Sequence, residues 1–340
     1  MARISYLQAI RQAMVEEMTR DERVFLMGQD VASNVFGSTE GMVQAFGRER
    51  VRDTPICEAA TIGAAAGASM VGMRPIVDIN ISSFLYPAMD QLISIVAKSR
   101  YVYGGQARLP LLIRACLFYG NGCAAQHSDR AYSMFMNVPG LKVVAPSCPR
   151  AAKGLIKAAI RDENPVLCFE DRNLWSSKED VPDDPDFVIP LGKGEIKRSG
   201  TDLSIIAISG AVPLALKAAE QLAQDNISAE VIDPRSLCPL DRDTILGSVR
   251  RTGRAITVDP AHQSCSAGSE IAAMIGENAF QALRGPVRRI ATPDTHIPFN
   301  VRLEKALYPT VERIVAVGRD LVSHPGRADD PTPSSAGGAR

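Results

Sequence analysis

Short apolar runs rich in valine and isoleucine alternate with longer amphipathic stretches along nearly the whole chain. Such runs are typical of parallel strands that are buried between helices on both faces of a sheet. The first half is predicted to contain strands at 23–27, 74–81, 109–115, 142–145 and 166–170. The second half restarts the alternation, with strands predicted at 204–208, 229–232, 255–258 and 288–290. The predicted fold class is therefore α/β, with parallel-type sheets flanked by helices.

Helical spacing of apolar residues predicts helices between these strands. In the first half they are expected at 6–19, 40–46, 56–71, 89–102 and 150–161. In the second half they are expected at 212–224, 241–250, 269–282 and 310–321. The segment 59–70 is the most apolar of the chain and consists mainly of Ala and Gly, so we expect the helix that contains it to be buried.

The length of the chain favours two domains, because a domain usually holds about 100–200 residues. Residues 176–200 are rich in Asp, Pro and Lys and show little periodicity, which is typical of an exposed connection. We therefore expect a first domain at 1–180, a linker at 181–200 and a second domain at 201–323. Residues 324–340 have the Pro, Ser, Gly and Asp content of a disordered tail.

Charge and cysteine content exclude several classes of protein. The chain has 38 basic and 38 acidic side chains, whereas a nucleic-acid-binding protein or a polybasic membrane anchor needs an excess of positive charge. The sequence contains neither the apolar core of a signal peptide nor a run of about 18 apolar residues that would predict a membrane span. The seven cysteines are scattered without CxxC spacing, so we expect no disulfide framework, no zinc site and a cytoplasmic location.

Glu58 is the first candidate for chemistry. Thr54 is predicted to cap the following helix and Pro55 to take its first position, which places Glu58 in the first turn. An acidic residue at this place most often does no more than interact with the helix dipole, which contributes about 0.3–1 kcal/mol. The small residues that follow supply no bulk, however, so another backbone or a ligand must approach this helix closely.

His127 is the second candidate, at the end of a small-residue loop that follows the strand predicted at 109–115. Loops at the carboxyl ends of parallel strands are where α/β proteins bind ligands, and a histidine there can act as an acid or base near neutral pH. A loop histidine that is hydrogen-bonded to backbone is an equally good interpretation. Phe84 and Tyr86 follow the strand predicted at 74–81 and could stack on a flat ring, although such a pair more often belongs to the core.

Taken in order, these segments resemble the β subunit of the thiamine diphosphate-dependent 2-oxo acid dehydrogenases. This family includes the pyruvate, branched-chain 2-oxo acid and acetoin dehydrogenases. The resemblance covers about residues 3–322 and rests on many linked motifs. They are FLMGQDV (25–31), DTPICEA (53–59), GMRP (72–75), PAMDQ (87–91), QHS (126–128), VPGLKVVAP (138–146), DENP (162–165), GSEIAA (268–273) and LEK (303–305).

The resemblance implies a pyrimidine-binding domain followed by a transketolase-type carboxyl-terminal domain. It implies that Glu58 hydrogen-bonds the ring nitrogen N1′ of the cofactor and that Phe84 stacks on the aminopyrimidine. Ile56 and Gln29 are expected to line the same cofactor site, although most relatives have an acidic residue where Gln29 stands. His127 is expected to orient the reacting group or the incoming lipoyl group. The implied reaction decarboxylates a 2-oxo acid, or cleaves acetoin, and passes the acyl group to a lipoyl-bearing acyltransferase.

The resemblance also implies a partner chain. In this family the cofactor's diphosphate and its Mg²⁺ are held by a GDG…N segment of the α subunit, and this sequence has no such segment. We therefore expect activity only in an assembly with an α subunit, α2β2 in form. The family also holds a monovalent cation, K⁺, on backbone carbonyls. The matching residues are Leu109, Leu111, Leu112, Ala159, Asp162 and Asn164.

Two alternatives stay open at this point. A subunit of a split transketolase would move ketol units between sugar phosphates and would need cationic anchors, for which Arg114, Arg130 and Arg172 are available. A non-catalytic assembly subunit would use the second domain to bind partners, but the presence of both Glu58 and His127 argues against it.

Overall fold

The computed structural model describes residues 1–323, so the tail expected at 324–340 lies outside the described residues. Within residues 1–323 the strands are β1 (Ala2–Ser5), β2 (Val24–Gly28), β3 (Val51–Asp53), β4 (Arg74–Ile81), β5 (Leu112–Leu117), β6 (Lys142–Val144), β7 (Val166–Asp171), β8 (Lys178–Val181), β9 (Glu195–Arg198), β10 (Leu203–Ala207), β11 (Ala229–Asp233), β12 (Ser236–Cys238), β13 (Ala255–His262) and β14 (Arg288–Thr292). The α-helices are α1 (Tyr6–Arg20), α2 (Met42–Phe46), α3 (Glu58–Met70), α4 (Ser99–Val102), α5 (Tyr132–Met136), α6 (Pro149–Arg161), α7 (Val212–Gln224), α8 (Arg242–Thr252), α9 (Ala267–Ala279), α10 (Val301–Lys305) and α11 (Val311–Ser323). Every strand that the sequence predicts is present, and the α/β fold class is confirmed.

A seven-stranded sheet in the order β12-β6-β7-β5-β4-β2-β3 dominates the first half of the chain. All neighbouring strands are parallel except β12, which pairs antiparallel with β6. Successive residues of β2 show why these strands are apolar throughout. Val24 and Leu26 pack in the cluster that includes α1 and α6, whereas Phe25 and Met27 pack in the cluster that includes α3. Both faces of the sheet are therefore buried.

A five-stranded sheet in the order β14-β13-β10-β11-β9 forms the second half. Its pairs are parallel except β9, which runs antiparallel to β11. One strand crosses between the halves: β12 comes from the second half of the sequence and adds to the edge of the first sheet. Its pairing with β6 joins the two halves through main-chain hydrogen bonds.

The connection around 176–200 is more ordered than its composition indicates. It contains β8, which pairs antiparallel with β1, and β9, which edges the second sheet. The buried Lys153 of α6 donates to the carbonyl of Pro182 at 2.9 Å, and the backbone N–H of Ile189 donates to the carbonyl of Gly154 at 3.1 Å. Backbone groups of this stretch thus form hydrogen bonds with β1, β11 and α6, which a composition of Asp, Pro and Lys does not predict.

Two predicted helices differ from expectation. The helix predicted at 89–102 is irregular: a tight 3₁₀ helix at Ser82–Ala88 is followed by π-helical turns at Gln91–Val96 and then by α4. Pro87, which has no backbone N–H, lies inside the first of these segments. The second helix that differs is α3, which the sequence predicts to be buried but which has one exposed face in this chain.

One face of α3 packs in the core and the other is open. Ile62 and Ala65 are buried, whereas Ala60, Ala64 and Gly67 are exposed. The small residues therefore leave an open, close-approach surface instead of filling the core. Among the described residues, no helix combines the length and the apolar character needed to cross a bilayer.

Candidate active site

A cleft lies where the parallel strands β2 and β3 end. Gln29 directly follows β2, and Glu58 is the first residue of α3. Ligands of α/β proteins bind at this carboxyl edge of the sheet. The residues that line the cleft are Gln29, Thr54, Pro55, Ile56, Cys57, Glu58, Thr61, Asp78 and Ile79. Three of the four cofactor-binding residues expected from the sequence are thus brought together.

The helix that carries Glu58 begins later than the sequence predicts. The backbone N–H of Thr54 donates to the carbonyl of Gly28 at 3.0 Å, which extends the pairing of β3 with β2 by one residue. Residues 54–57 therefore stay outside the helix, and Cys57 precedes its first turn without a side-chain cap. The predicted roles of Thr54 as cap and of Pro55 as first helical residue are wrong, but Glu58 does open the helix.

Glu58 has no partner of its own in the described part of the chain. Its side chain is half-buried, and it forms neither a hydrogen bond nor an ion pair with any residue of 1–323. The free backbone N–H groups at the start of α3 favour a negative charge at this place. Glu58 is thus a carboxylate at the start of a helix that remains available to accept a hydrogen bond from a ligand.

Asp78, which lines the cleft, belongs to a buried ionic cluster. Arg114 of β5 donates to both carboxylate oxygens of Glu170, at 2.6 and 3.0 Å, and to Asp78 at 3.1 Å. Burial raises the pKa of Glu170, and the adjacent guanidinium of Arg114 opposes that rise. Gly28 lets β2 approach this cluster, since a Cβ there would lie 2.3 Å from the carbonyl oxygen of Asp78. The cluster fixes one wall of the cleft.

Phe84 and His127 form a second group at the same edge of the sheet. Phe84 lies in the tight helix that follows β4, and His127 lies in the loop that follows β5. Their rings meet edge to face, with centroids 5.6 Å apart and planes at 77°. His127 forms no hydrogen bond to backbone or side chain within residues 1–323, so the interpretation as a backbone-bonded loop histidine does not describe it.

The two groups are linked by packing. Helix α3, which begins with Glu58, packs against the Ser82–Ala88 helix, and that helix in turn contacts the turn Ala125–His127. Within the described residues, no hydrogen bond or ring contact joins Glu58 to Phe84 or to His127 directly. Tyr86, on the same short helix, has its pKa raised to about 12 by burial and by the neighbouring Asp129 carboxylate.

The residues expected to hold K⁺ lie at the opposite edge of the sheet, around the amino-terminal ends of β5 and β7 and next to Arg74 at the start of β4. Leu109, Leu111 and Leu112 are buried there. The guanidinium of Arg74 donates to the carbonyl oxygens of Ile160 at 3.0 Å and Asp162 at 2.9 Å. The other matching carbonyls belong to Ala159 and Asn164. A K⁺ ion bound here would share the oxygen of Asp162 with Arg74.

Sequence reasoning missed two residues at the carboxyl edge of the sheet, where the cleft lies. Asp78 connects the cleft to Arg114, and Asn80 follows it with a left-handed φ of 62° and a backbone N–H that donates to the Asp78 carboxylate at 2.9 Å. Both precede the end of β4. A polar residue within an otherwise apolar parallel strand was the available signal, because such a side chain needs a buried partner.

These residues fit the aminopyrimidine half of thiamine diphosphate. An unpaired carboxylate can accept a hydrogen bond from a ring nitrogen, and a partly buried phenyl ring can stack on a flat ring. Polar atoms without partners lie in the same region: the buried hydroxyls of Ser83 and Ser128 adjoin Phe84 and His127 in sequence. Within residues 1–323 there is no group of three or more His, Cys, Asp or Glu side chains that could hold a metal ion.

Two sequence families match the chain: "Transketolase, pyrimidine binding domain" over residues 2–177 and "Transketolase, C-terminal domain" over residues 192–314. The chain is 44% identical over 336 residues to the acetoin:2,6-dichlorophenolindophenol oxidoreductase subunit beta of Bacillus subtilis (strain 168), with 95% of this chain and 98% of that protein covered. It is 42% identical to the 2-oxoisovalerate dehydrogenase subunit beta of the same organism, with 94% of this chain and 99% of that protein covered. It is 40% identical to the pyruvate dehydrogenase E1 component subunit beta of the same organism, with 95% of this chain and 99% of that protein covered.

Among solved structures, a split-gene transketolase described as an inactive β4 tetramer superimposes with a TM-score of 0.78. The match covers 96% of this chain and 100% of that chain, at 24% sequence identity. At this identity the likeness concerns the fold alone.

Proposed function

Because the chain belongs to the transketolase-like β subunits of the pyruvate, branched-chain 2-oxo acid and acetoin dehydrogenases, we propose that it forms one half of a thiamine diphosphate-dependent enzyme. The proposed reaction is decarboxylation of a 2-oxo acid or cleavage of acetoin, with transfer of the acyl group to a lipoyl-bearing acyltransferase. The observation that carries the proposal is Glu58, a carboxylate at the opening of α3 with no partner in residues 1–323.

When bound, the cofactor supplies a nucleophilic carbon and an electron sink for cleavage of the carbon–carbon bond. Glu58 holds a proton at N1′ of the aminopyrimidine. Ile56 is 74% exposed in this chain and lies beside Glu58 in the cleft, so it covers the ring and keeps water from the carboxylate once the assembly forms. Gln29 offers an uncharged amide at the same wall.

Phe84 and His127 would supply the second group of contacts to the cofactor and the substrate. Phe84 supplies a stacking surface. His127 has both ring nitrogens free of partners in the described chain, so one of them can donate a hydrogen bond to a substrate oxygen or to the lipoyl group. The edge-to-face contact with Phe84 orients the imidazole.

The site needs a second chain. We propose an α subunit that holds the diphosphate and Mg²⁺ in an α2β2 assembly, since the sequence has no GDG…N segment. The open face of α3, with Ala60, Ala64 and Gly67 exposed, allows such a chain to approach the cleft closely. We further propose that K⁺ is bound by backbone carbonyls of Leu109, Leu111, Leu112, Ala159, Asp162 and Asn164. A cytoplasmic location is part of the proposal, and all seven cysteines are free thiols in the structure.

Reconstitution with an α subunit tests this function. The purified chain, a chain carrying the GDG…N segment, and the pair are assayed with a panel of 2-oxo acids and acetoin, with lipoamide as acceptor, and separately with sugar phosphates. We expect the pair to release carbon dioxide from a 2-oxo acid or to cleave acetoin, and the isolated chain to be inactive. Ketol transfer between sugar phosphates, or decarboxylation by the isolated chain, would contradict the proposal.

A further inference from the structure

Both ends of the loop that carries His127 are held by the second half of the chain. At its start, the backbone N–H groups of Gly120 and Gly122 donate to the two carboxylate oxygens of Glu304, at 2.5 and 2.7 Å. At its end, the hydroxyl of Tyr132 donates to the carboxylate of Asp259. His127 lies between these attachments and makes no hydrogen bond itself within residues 1–323.

Glu304 is a buried carboxylate in α10, with none of its surface exposed. Besides the two glycine amides it accepts a hydrogen bond from the hydroxyl of Tyr308, at 2.9 Å. Gly120 and Gly122 have φ values of 76° and 71°, in the left-handed region that favours glycine. A Cβ at Gly122 would lie 3.2 Å from both the carbonyl oxygen of Phe299 and a methyl carbon of Val301. Glycine therefore allows the backbone to wrap around this carboxylate.

Arg130 adds a second attachment between the same elements. Its guanidinium lies over the ring of Tyr119 at 4.1 Å and over the ring of Tyr308 at 4.7 Å, and the residue is 6% exposed. One nitrogen donates to the carbonyl of Ser128 at 2.9 Å, directly after His127. The ring of Tyr308 thus contacts Arg130 while its hydroxyl contacts Glu304.

Two buried carboxylates, Asp171 and Asp259, lie near Arg130 without forming a direct ion pair with it. The hydroxyl of Tyr119 donates to Asp171 at 2.7 Å, and Asp171 in turn accepts from the backbone N–H of Gly210 at 3.2 Å. Burial raises the pKa of Asp259 above its usual value, and the hydrogen bond from Tyr132 and the charge of Arg130 oppose that rise. These carboxylates offset the charge of Arg130 only at longer range, because its Nε and Nη2 atoms are buried and have no hydrogen-bond partner in the described chain.

We infer that Glu304, together with Tyr308 and Arg130, positions His127 for reaction. Glu304 is a positioning residue, because it acts on the loop backbone and not on the reacting atoms. Its charge-assisted hydrogen bonds fix the start of the loop, and the stacked Arg130 fixes the segment directly after His127. Misplacement of a reacting group by about 1 Å can cost 10²-fold in rate. The inference rests on the proposed function of His127, but the loop geometry can be measured separately.

The test uses the full chain with ¹³C-labelled histidine. The chain has four histidines, and His127→Asn identifies the His127 signal by its loss. Glu304→Gln keeps the shape of the side chain but removes its charge and replaces one acceptor with a donor. We expect the His127 signal to shift, because the imidazole leaves the ring-current field of Phe84. Glu277→Gln, at an exposed position of α9, is the matched control and should leave the signal in place.

Tyr308→Phe is the second variant, in case Glu304→Gln does not fold. It retains the ring against Arg130 and removes only the hydroxyl that donates to Glu304, so a smaller shift in the same direction is expected. In the reconstituted enzyme we expect kcat to fall about 10- to 100-fold in Glu304→Gln, with KM for the 2-oxo acid or acetoin changed less than threefold.

The outcomes separate the inference from the proposed function. An unmoved His127 signal in a folded Glu304→Gln protein overturns the positioning inference, whatever the turnover. A displaced signal supports it. If His127→Asn leaves turnover intact while Glu304→Gln still displaces the signal, the proposed role of His127 fails and the positioning of the loop stands.

Discussion

Two glutamates of the same domain show opposite uses of a carboxylate. Glu170 is 4% exposed, and both of its oxygens accept from Arg114. Glu58 is half-buried at the cleft and has no partner in the described chain. A buried charge is tolerated only when it is paired, whereas an unpaired one must remain near the surface until a ligand arrives. In the folded chain Glu170 is therefore neutralised by Arg114, whereas Glu58 stays available to bind a ligand.

The largest effect is expected from Glu58→Ala. If this carboxylate holds a proton on the cofactor ring, its loss should lower turnover of the reconstituted enzyme by about 10²- to 10⁴-fold, the usual range for a positioned acid or base. Turnover and assembly with the α subunit are measured together, and assembly should be unchanged. Glu270→Ala is the matched control, since Glu270 is an exposed acid in the first turn of α9. Unchanged turnover in Glu58→Ala would favour the non-catalytic assembly subunit.

Glu170→Ala tests the other side of the comparison. It leaves the guanidinium of Arg114 buried beside Asp78 alone, so we expect the free energy of unfolding to fall by about 3–5 kcal/mol. Chemical denaturation measures the change. The ion pair of Glu49 with Arg52 is exposed, and Glu49→Ala should cost less than about 1 kcal/mol. Equal losses in the two variants would mean that the buried cluster is not what stabilises the cleft wall.

Asp233 sharpens the comparison through pH. Burial raises the pKa of Asp233 to about 6, against the hydrogen bond from Ser147 and the charge of Arg235. The folded-state pKa lies above the unfolded value of about 3.9, so the stabilising contribution is fully present below pH 4 and is lost as the pH rises through 6. The loss amounts to about 3 kcal/mol at most, from about 1.4 kcal/mol per pKa unit.

Asp233→Asn isolates this contribution from the other carboxylates, which titrate in both proteins. The free energy of unfolding is measured between pH 4 and 7 for the parent and the variant. We expect the parent to lose more stability than the variant across this range. Identical pH profiles would show that the pKa of Asp233 is the same in the folded and the unfolded protein, which would contradict the rise caused by burial.

The smallest effect is expected from Ile56→Ala. Ile56 is 74% exposed in this chain, so its truncation should change the free energy of unfolding by less than about 0.5 kcal/mol. Association with the α subunit should weaken by about 1–2 kcal/mol if the side chain is covered in the assembly. Ile62→Ala, in the buried face of α3, should show the reverse pattern, with a stability loss of about 2–5 kcal/mol. Unaltered association of Ile56→Ala would remove Ile56 from the interface.

The sequence predicted the strands well because each is buried on both faces. Residues such as Val24 and Phe25 must then both be apolar, and the resulting run is visible without any knowledge of the neighbours. The order of the motifs along the chain also predicted the family, and the relatives that are 40–44% identical confirm that prediction. The roles of the individual site residues remain proposals.

Features that depend on distant partners could not be predicted. The start of α3 shifts because Thr54 pairs with Gly28, and β12 joins a sheet whose other strands come from the first half of the chain. The contact of Gly120 with Glu304 joins residues 184 positions apart. Local propensity contains no information on such pairs, since their energies arise only when the two halves meet. The open face of α3 escaped prediction for a related reason, because an apolar pattern does not say which molecule covers it.

The most direct test is a structure of the assembled α and β chains with thiamine diphosphate bound. We predict that a carboxylate oxygen of Glu58 lies about 2.6–3.0 Å from N1′ of the aminopyrimidine, with the diphosphate held by the other chain. A Glu58 side chain directed into solvent, or a pyrimidine ring bound outside the cleft between Gln29 and Glu58, would contradict the account.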